Sequence, residues 1–168
     1  MPKTRAIHSV QVGFAGLGAH EGKAMREAPG KILLVEDDQN DVDLTLEAFR
    51  RNRISTEVFV LRDGAEALNY LFGAEGPEGS GPPSLILLDL KLPKVDGLEV
   101  LAEIKGNPRL RTIPTVMLTS SREEKDLVKS YDLGANAYVV KPVDFMDFVE
   151  AVREIGLFWA VLNQPPPR

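Results

Sequence analysis

An aspartate directly follows a wholly apolar stretch of the chain. Residues 85–88 read Leu-Ile-Leu-Leu, and a run without a polar face predicts a strand buried on both sides, as in the middle of a parallel sheet. Asp89 comes next, where a carboxylate is costly to bury unless a cation or hydrogen bonds compensate its charge. Ligands of open parallel sheets bind beyond the carboxyl ends of the strands. Asp89 is therefore a candidate site residue, although a turn aspartate that merely closes a strand fits the same pattern.

Other predicted strands also end in residues that could do chemistry. These residues are the acids Glu36 and Asp37, the hydroxyl residue Thr119 and the basic residue Lys141. Because the carboxyl ends of parallel strands meet at one edge of a sheet, we expect these side chains to lie near Asp89. Each has an ordinary alternative. The acids could be solvated loop residues, Thr119 a helix cap, and Lys141 a surface lysine before a turn proline.

Together, these residue types indicate phosphoryl chemistry. Three carboxylates placed side by side repel one another unless a cation joins them. Oxygen ligands of this kind suit a hard divalent ion, Mg2+ before any other. With Mg2+, Thr119 and Lys141 facing the equatorial oxygens of a phosphoryl group, Asp89 could accept that group and become an aspartyl phosphate.

The elements that must position these residues alternate along the chain. Predicted strands lie at residues 31–35, 57–61, 85–88, 115–118 and 137–140. A helix follows each of them, and the fourth of these helices is polar. Asn40 or Asp41 is the predicted cap of the first helix, Asp63 opens the second, and Asp144 caps a last helix that runs to Leu162. This alternation predicts an α/β fold, a doubly wound five-stranded parallel sheet in the order 2-1-3-4-5.

Three segments of different composition are predicted. Residues 1–29 are dotted with glycine and predict a poorly ordered arm, in which Met25 could be the natural start. Residues 30–162 form the domain, and 163–168 form a proline-rich tail. A stretch rich in glycine and proline at residues 73–84 predicts a surface loop.

Composition excludes several classes of function. A net charge of -5 and a pI near 5.1 argue against a non-specific nucleic-acid surface or an anionic-membrane surface. With no cysteine, the chain has neither disulfides nor a thiolate metal site or nucleophile. No apolar run reaches the length of a membrane span. We therefore expect a cytoplasmic protein without nucleic-acid or membrane partners.

The ordered motifs Val-Glu-Asp, Leu-Asp-Leu-Lys-Leu-Pro, Leu-Thr-Ser and Val-Lys-Pro resemble the signature blocks of response regulator receiver domains. The resemblance covers about residues 30–162 and implies the flavodoxin-like receiver fold. It implies that Asp89 takes phosphate from a phosphohistidine of a sensor histidine kinase. It also implies a Mg2+ site formed by Glu36, Asp37, Asp89 and the backbone carbonyl of Lys91.

The same resemblance implies a switch and a fixed cation. Thr119 and Tyr138 match the family's switch pair. Lys141 matches its characteristic lysine, whose bond to Pro142 is often cis in such domains. Activity would be limited to Mg2+-dependent self-phosphorylation and self-dephosphorylation, so the protein would not be an enzyme acting on other substrates. The alternative is a pseudo-receiver, an interaction module that never takes phosphate.

Within that family, the chain is most similar to small single-domain regulators that serve phytochrome kinases. The similarity rests on Leu-Ala-Glu-Ile-Lys after the Asp89 loop and on Phe158-Trp159. It implies a bacteriophytochrome-type kinase as a partner and a downstream protein or phosphotransfer partner. A second apolar stripe on the last helix predicts a homodimer, with ordinary packing under the tail as the alternative. Its residues are Met146, Leu157, Phe158 and Val161.

Overall fold

The computed structural model describes residues 8–12 (backbone only), 30–54, 56–73, 81–142, 144–156 and 158–159. The strands are β1 His8–Val12, β2 Ile32–Val35, β3 Thr56–Leu61, β4 Leu85–Leu88, β5 Thr115–Thr119 and β6 Ala137–Val140. The helices are α1 Gln39–Arg51, α2 Gly64–Phe72, α3 Gly97–Gly106, α4 Glu124–Asp132 and α5 Phe145–Gly156. From β2 onward, strands and helices alternate as the sequence predicts.

One sheet contains all six of these strands, in the order β1-β3-β2-β4-β5-β6. Strands β2 to β6 are parallel to their neighbours, which confirms the predicted five-stranded order 2-1-3-4-5. The expectation of an irregular arm is wrong at His8–Val12, which pairs antiparallel with β3 along the edge of the sheet. Val10 and Val12 alternate with polar residues, a short period of two that could have indicated this strand.

Two hydrophobic cores cover the two faces of the sheet. Alternate residues of β2, such as Ile32 and Leu34, join α1 and α5 in one core. Leu33 and Val35 join α2 and α3 in the other. Both faces of the central strands are thus removed from water, as continuous apolar runs require in a doubly wound sheet. The carboxyl ends of these strands are held at one rigid edge.

Acidic side chains fix the starts of several helices. Asp63 Oδ1 accepts a hydrogen bond from the Glu66 N–H at the start of α2, and Asp96 does the same for Glu99 in α3. Asp144 accepts from the N–H of Met146 at the start of α5. The predicted roles of Asp63 and Asp144 are confirmed, and each cap satisfies donors that the first helical turn leaves free.

The ends of the chain are only partly described. Helix α5 extends to Gly156, and Phe158 and Trp159 lie in a wider turn beyond it. Leu162, the tail at 163–168, Met25 and most of the predicted arm lie outside the described residues. The division into arm, domain and tail therefore stays a prediction. Within the ranges given above, no helix combines the length and apolar character needed to cross a bilayer.

Two glycines of α3 differ in the space around them, and this difference gives a stability test. A Cβ on Gly97 would lie 2.1 Å from the Asp89 carbonyl oxygen, whereas a Cβ on Gly106 would meet nothing within 4 Å. We expect Gly97→Ala to lower the free energy of unfolding by about 1–3 kcal/mol, because the Asp89 loop must move. Gly106→Ala should raise it by about 0.5 kcal/mol, since alanine loses less entropy in a helix. Urea unfolding of both variants measures the effect, and equal changes would contradict the close approach.

Candidate functional site

The backbone holds the site residues directly beyond the strand ends. The N–H of Glu36 donates to Leu61 O at 2.9 Å, and that of Asp89 donates to Val35 O at 3.1 Å. The Lys141 N–H likewise donates to Thr119 O at 2.8 Å. The strand ladders thus continue past β2, β4 and β6. The backbone of these functional residues is therefore held by the same hydrogen-bond ladders as the sheet.

Three carboxylates meet at this edge. One oxygen from each of Glu36, Asp37 and Asp89 lies within 4.8 Å of the other two. Glu36 and Asp89 are buried, and Asp37 is exposed. A donor set made only of carboxylate oxygens, with one member open to water, fits a hard divalent cation that keeps part of its hydration shell. The structure thus brings the three predicted acids together.

The Lys141 ammonium lies among the carboxylates. Its Nζ is 2.5 Å from Glu36 Oε2, 2.7 Å from Asp41 Oδ2 and 3.4 Å from Asp89 Oδ2. The sequence predicts the approach to Asp89 but assigns Asp41 only to a helix cap. Asp41 lies in the first turn of α1, which follows β2, but no sequence pattern predicts that its side chain reaches Lys141.

Asp38, not Asn40 or Asp41, caps α1, so the sequence prediction is wrong here. Asp38 Oδ1 accepts hydrogen bonds from the N–H groups of Asn40 and Asp41 at 2.8 and 3.1 Å. Its backbone is extended, with φ -80° and ψ 120°, as a capping residue requires. Its own N–H donates to Glu36 Oε1 at 3.0 Å. Because the helix begins earlier than predicted, Asp41 lies in its first turn.

Burial and ion pairing shift the pKa values of the site residues in opposite directions. Burial raises the pKa of Glu36 to about 7, although the hydrogen bond from Lys141 opposes the shift. Burial alone would lower the pKa of Lys141, but its hydrogen bonds to Asp41 and Glu36 prevail and raise this pKa. The lysine therefore stays charged. Even so, the site holds more acid than one ammonium neutralises.

An ion pair between Lys94 and Asp63 holds the loop that follows Asp89. Lys94 adopts a left-handed conformation with φ 66°, and its Nζ lies 2.6 Å from Asp63 Oδ2. Burial alone would raise the pKa of Asp63, but this bond from Lys94 helps to lower it. Lys91 lies two residues after Asp89 with an exposed side chain, and its carbonyl as a metal ligand stays a prediction.

The predicted switch residues are joined through a residue that the sequence does not single out. Thr119 is fully buried, and its Oγ1 accepts a hydrogen bond from the Ser121 N–H at 3.2 Å. The Tyr138 hydroxyl donates to the Ser121 carbonyl at 3.1 Å, and burial raises the pKa of Tyr138. Ser121 Oγ then donates to Asp126 Oδ2 of α4 at 2.6 Å. A buried serine two residues after Thr119 is thus shared by both.

Other predictions have mixed outcomes. The Lys141–Pro142 peptide is trans, so the expectation of a cis bond is wrong. Met146 and Phe158 are exposed, as a dimer surface requires. Leu157 and Val161 lie outside the described residues. Met146 lies in the first turn of α5 and Phe158 lies beyond the end of this helix, so they would belong to opposite ends of any shared surface.

The fold and the charged edge agree with comparisons to known proteins. The family model described as the response regulator receiver domain matches residues 32–153. The chain belongs to the response regulator receiver family. Response regulator Rcp1 of Synechocystis is 47% identical over 131 residues, which are 78% of this chain and 89% of the relative.

Solved structures of receivers superpose on this one. The Mn(2+)-bound form of Rcp1 has a TM-score of 0.76 and 45% identity, covering 83% of this chain and 100% of that one. The phosphorylated cyanobacterial phytochrome response regulator RcpA has a TM-score of 0.77 and 43% identity, with the same coverage. The bacteriophytochrome response regulator RtBRR is 60% identical, with a TM-score of 0.65, and covers 82% of this chain and 84% of that one. This receiver therefore resembles single-domain regulators of phytochrome pathways.

The raised pKa of Glu36 gives a pH test of the site without metal. Between its ordinary pKa of 4.5 and about 7, the folded state retains a proton that the unfolded state has lost. The free energy of unfolding should therefore fall as pH rises through this window, by about 1 kcal/mol per pH unit. Glu36→Gln should remove this fall, because the amide does not titrate.

Urea unfolding across pH in the presence of EDTA measures this contribution. Glu154→Gln, which changes an exposed glutamate of α5, is the matched control and should follow wild type. If the free energy of unfolding of Glu36→Gln falls with pH as steeply as that of wild type, Glu36 is not the buried carboxyl that retains the proton.

Proposed function

We propose that this receiver is a single-domain response regulator that accepts a phosphoryl group on Asp89 from a histidine of a sensor kinase. The observation that carries the proposal is the position of the Asp89 carboxylate. It is buried, belongs to a cluster of three acids, and has Lys141 Nζ at 3.4 Å. An isolated strand-end aspartate would need neither the acids nor the lysine.

The transfer makes one bond and breaks another. An oxygen of Asp89 bonds to phosphorus, the phosphorus–nitrogen bond of the phosphohistidine breaks, and the departing imidazole keeps the bonding electrons and takes up a proton. Bound Mg2+ would supply neutralisation of the charge on the equatorial oxygens. Asp89 Oδ1 accepts the Leu90 N–H at 2.7 Å, which orients the carboxylate. Lys141 and Thr119 would each bind a phosphoryl oxygen.

Glu36, Asp37, Asp89 and the Lys91 carbonyl are the proposed Mg2+ ligands. An all-oxygen set with an exposed member suits an ion that retains several waters. The Mn(2+)-bound form of Rcp1 supports a divalent ion in a similar protein. The phosphoryl group would later be lost by Mg2+-dependent hydrolysis, which makes self-phosphorylation and self-dephosphorylation the whole of the activity.

Phosphorylation would be reported through Thr119 and Tyr138. A phosphate on Asp89 adds acceptor oxygens and charge, which can draw the Thr119 hydroxyl toward it. Thr119 and Tyr138 share hydrogen bonds to Ser121, so movement of one affects the other. The two-state element would be the segment from β5 to the start of α4.

We further propose a bacteriophytochrome-type histidine kinase as the phosphate donor and a downstream protein or phosphotransfer partner as the recipient of the signal. The names of RcpA and RtBRR support the choice of kinase. A histidine kinase takes its phosphate from ATP, so the cytoplasm is the proposed location.

Acetyl phosphate with Mg2+, followed by intact-mass measurement, tests the acceptor role. We expect a phosphate-sized mass gain in wild type and none in Asp89→Asn, because the amide is not a nucleophile. Once acetyl phosphate is removed, the gain should decay in Mg2+ and persist longer in EDTA. Glu154→Gln should behave as wild type. Wild type without any gain would reject the acceptor role and leave a pseudo-receiver that acts by binding alone.

We also propose a homodimer through a surface formed by Met146 of α5 and by Phe158, which lies just beyond the end of this helix. We expect Phe158→Ala to weaken dimerisation by about tenfold or more, since a buried aromatic side chain can dominate an interface. Sedimentation velocity measures the effect, and Phe72→Ala, which changes an exposed phenylalanine of α2, is the matched control. A wild-type monomer at high concentration, with and without phosphorylation, would contradict the dimer.

A further inference from the structure

The Lys141 ammonium has carboxylate partners of two kinds. Glu36 and Asp89 belong to the three-acid cluster that fits a divalent cation. Asp41, whose Oδ2 is 2.7 Å from Nζ, lies outside that cluster. A cation bound by the cluster would compete with Lys141 for Glu36 and Asp89. It would not compete for Asp41.

The competition is sharpest at Glu36. Its Oε1 already accepts the Asp38 N–H at 3.0 Å, and its Oε2 is 2.5 Å from Lys141 Nζ. A divalent ion placed against Glu36 would meet the ammonium at close range, and two cations repel strongly in a poorly hydrated site. The ammonium must then move away from Glu36. Its side chain is only 9% exposed, so water alone would compensate it poorly.

Asp41 has the properties of a holding point. Its N–H donates to Asp38 Oδ1 at 3.1 Å, and its carbonyl accepts from Thr45 Oγ1 at 2.7 Å, so the first turn of α1 holds its backbone. Its side chain is 35% exposed, against 3% for Glu36, so its charge is less costly to maintain.

We propose that Asp41 is a positioning residue that retains the Lys141 ammonium when Glu36 and Asp89 bind a divalent cation. This inference rests on the proposed metal site. Asp41 keeps Lys141 charged, paired and within reach of Asp89, and it allows the cation to enter without leaving a buried ammonium unpaired. Without Asp41, the only carboxylates that contact Lys141 in the described residues are those that the cation needs.

A double-mutant cycle on Mg2+ affinity tests this role. Calorimetric titration would compare wild type, Asp41→Asn, Lys141→Met and the double variant at about pH 8.5, above the pKa of about 7 of Glu36. With Lys141 present, we expect Asp41→Asn to weaken Mg2+ binding about fivefold to tenfold. In the Lys141→Met background, the same change should cost about twofold or less, because no ammonium needs to be held.

Asp43→Asn is the matched control. Asp43 is an acid of the same helix whose carboxylate pairs with Gln39 Nε2 at 2.7 Å, so the variant removes the same charge without touching Lys141. Asp43→Asn should change Mg2+ affinity by the same factor in wild type and in Lys141→Met. Asp41→Glu, which keeps the carboxylate, should restore at least part of the affinity that Asp41→Asn loses and guards against a folding defect.

If Asp41→Asn weakens Mg2+ binding by the same factor with and without Lys141, the inference is overturned, because Asp41 would then act only as a nearby charge. A second readout is the nitrogen-15 spectrum of the lysine ammonium groups. The hydrogen-bond coupling from Lys141 to Asp41 should persist on Mg2+ addition while that to Glu36 is lost, and the reverse result would also overturn the inference.

The phosphorylation assay separates this inference from the proposed function. Asp41→Asn could weaken Mg2+ binding equally in both backgrounds while the protein still takes phosphate on Asp89. That result would reject only the role of Asp41. Retained coupling between Asp41 and Lys141 in a protein that takes no phosphate would reject the acceptor function alone.

Discussion

The structure depends on one buried ammonium placed among carboxylates at the edge of a parallel sheet. Glu36 and Asp89 would repel each other without Lys141, yet one lysine is too little to satisfy all the acids around it. Burial, with a smaller contribution from the nearby Asp89 carboxylate, raises the pKa of Glu36 despite its bond from Lys141. A site in which burial exceeds compensation is poised to take a cation, because the metal supplies charge that the chain lacks. The free-energy cost of burying these carboxylates and their affinity for a metal ion therefore have the same origin, which is uncompensated negative charge.

The sheet lowers the entropic cost of holding these charged residues close together. Asp89 and Lys141 continue hydrogen-bond ladders beyond β4 and β6, so little extra backbone entropy is lost in placing them. The two cores behind the sheet resist any relaxation that would separate the charges. The loop after Asp89 is anchored independently by Lys94 and Asp63, and Gly97 lets α3 approach its backbone closely. The backbone directly around Asp89 is therefore held in place before any ligand binds.

What the sequence predicts and what it misses follow from how local each signal is. Apolar runs such as Leu85–Leu88 identify the parallel strands, and the rule that their carboxyl ends meet brings Glu36, Asp89 and Lys141 together. The contact between Asp41 and Lys141 joins residues 100 positions apart and depends on side-chain directions that no pattern encodes. The sequence leaves the cap of α1 ambiguous, because several adjacent residues are good caps. The sequence does not predict strand β1, because its period of two is short and a glycine-rich stretch follows it directly.

Ser121 explains how a change of charge at Asp89 could reach a surface. The Thr119 oxygen accepts from the Ser121 N–H but keeps its own proton, which it can still donate to a phosphoryl oxygen. If Thr119 moves toward that oxygen, the Ser121 peptide must follow or lose its bond. The Tyr138 hydroxyl donates to the carbonyl of Ser121, and the Ser121 hydroxyl donates to Asp126 in the first turn of α4. That helix carries the exposed side chains Leu127, Val128 and Tyr131. One serine thus connects the buried chemistry to an apolar surface through hydrogen bonds alone, which makes a two-state response of α4 physically reasonable without any change in the sheet.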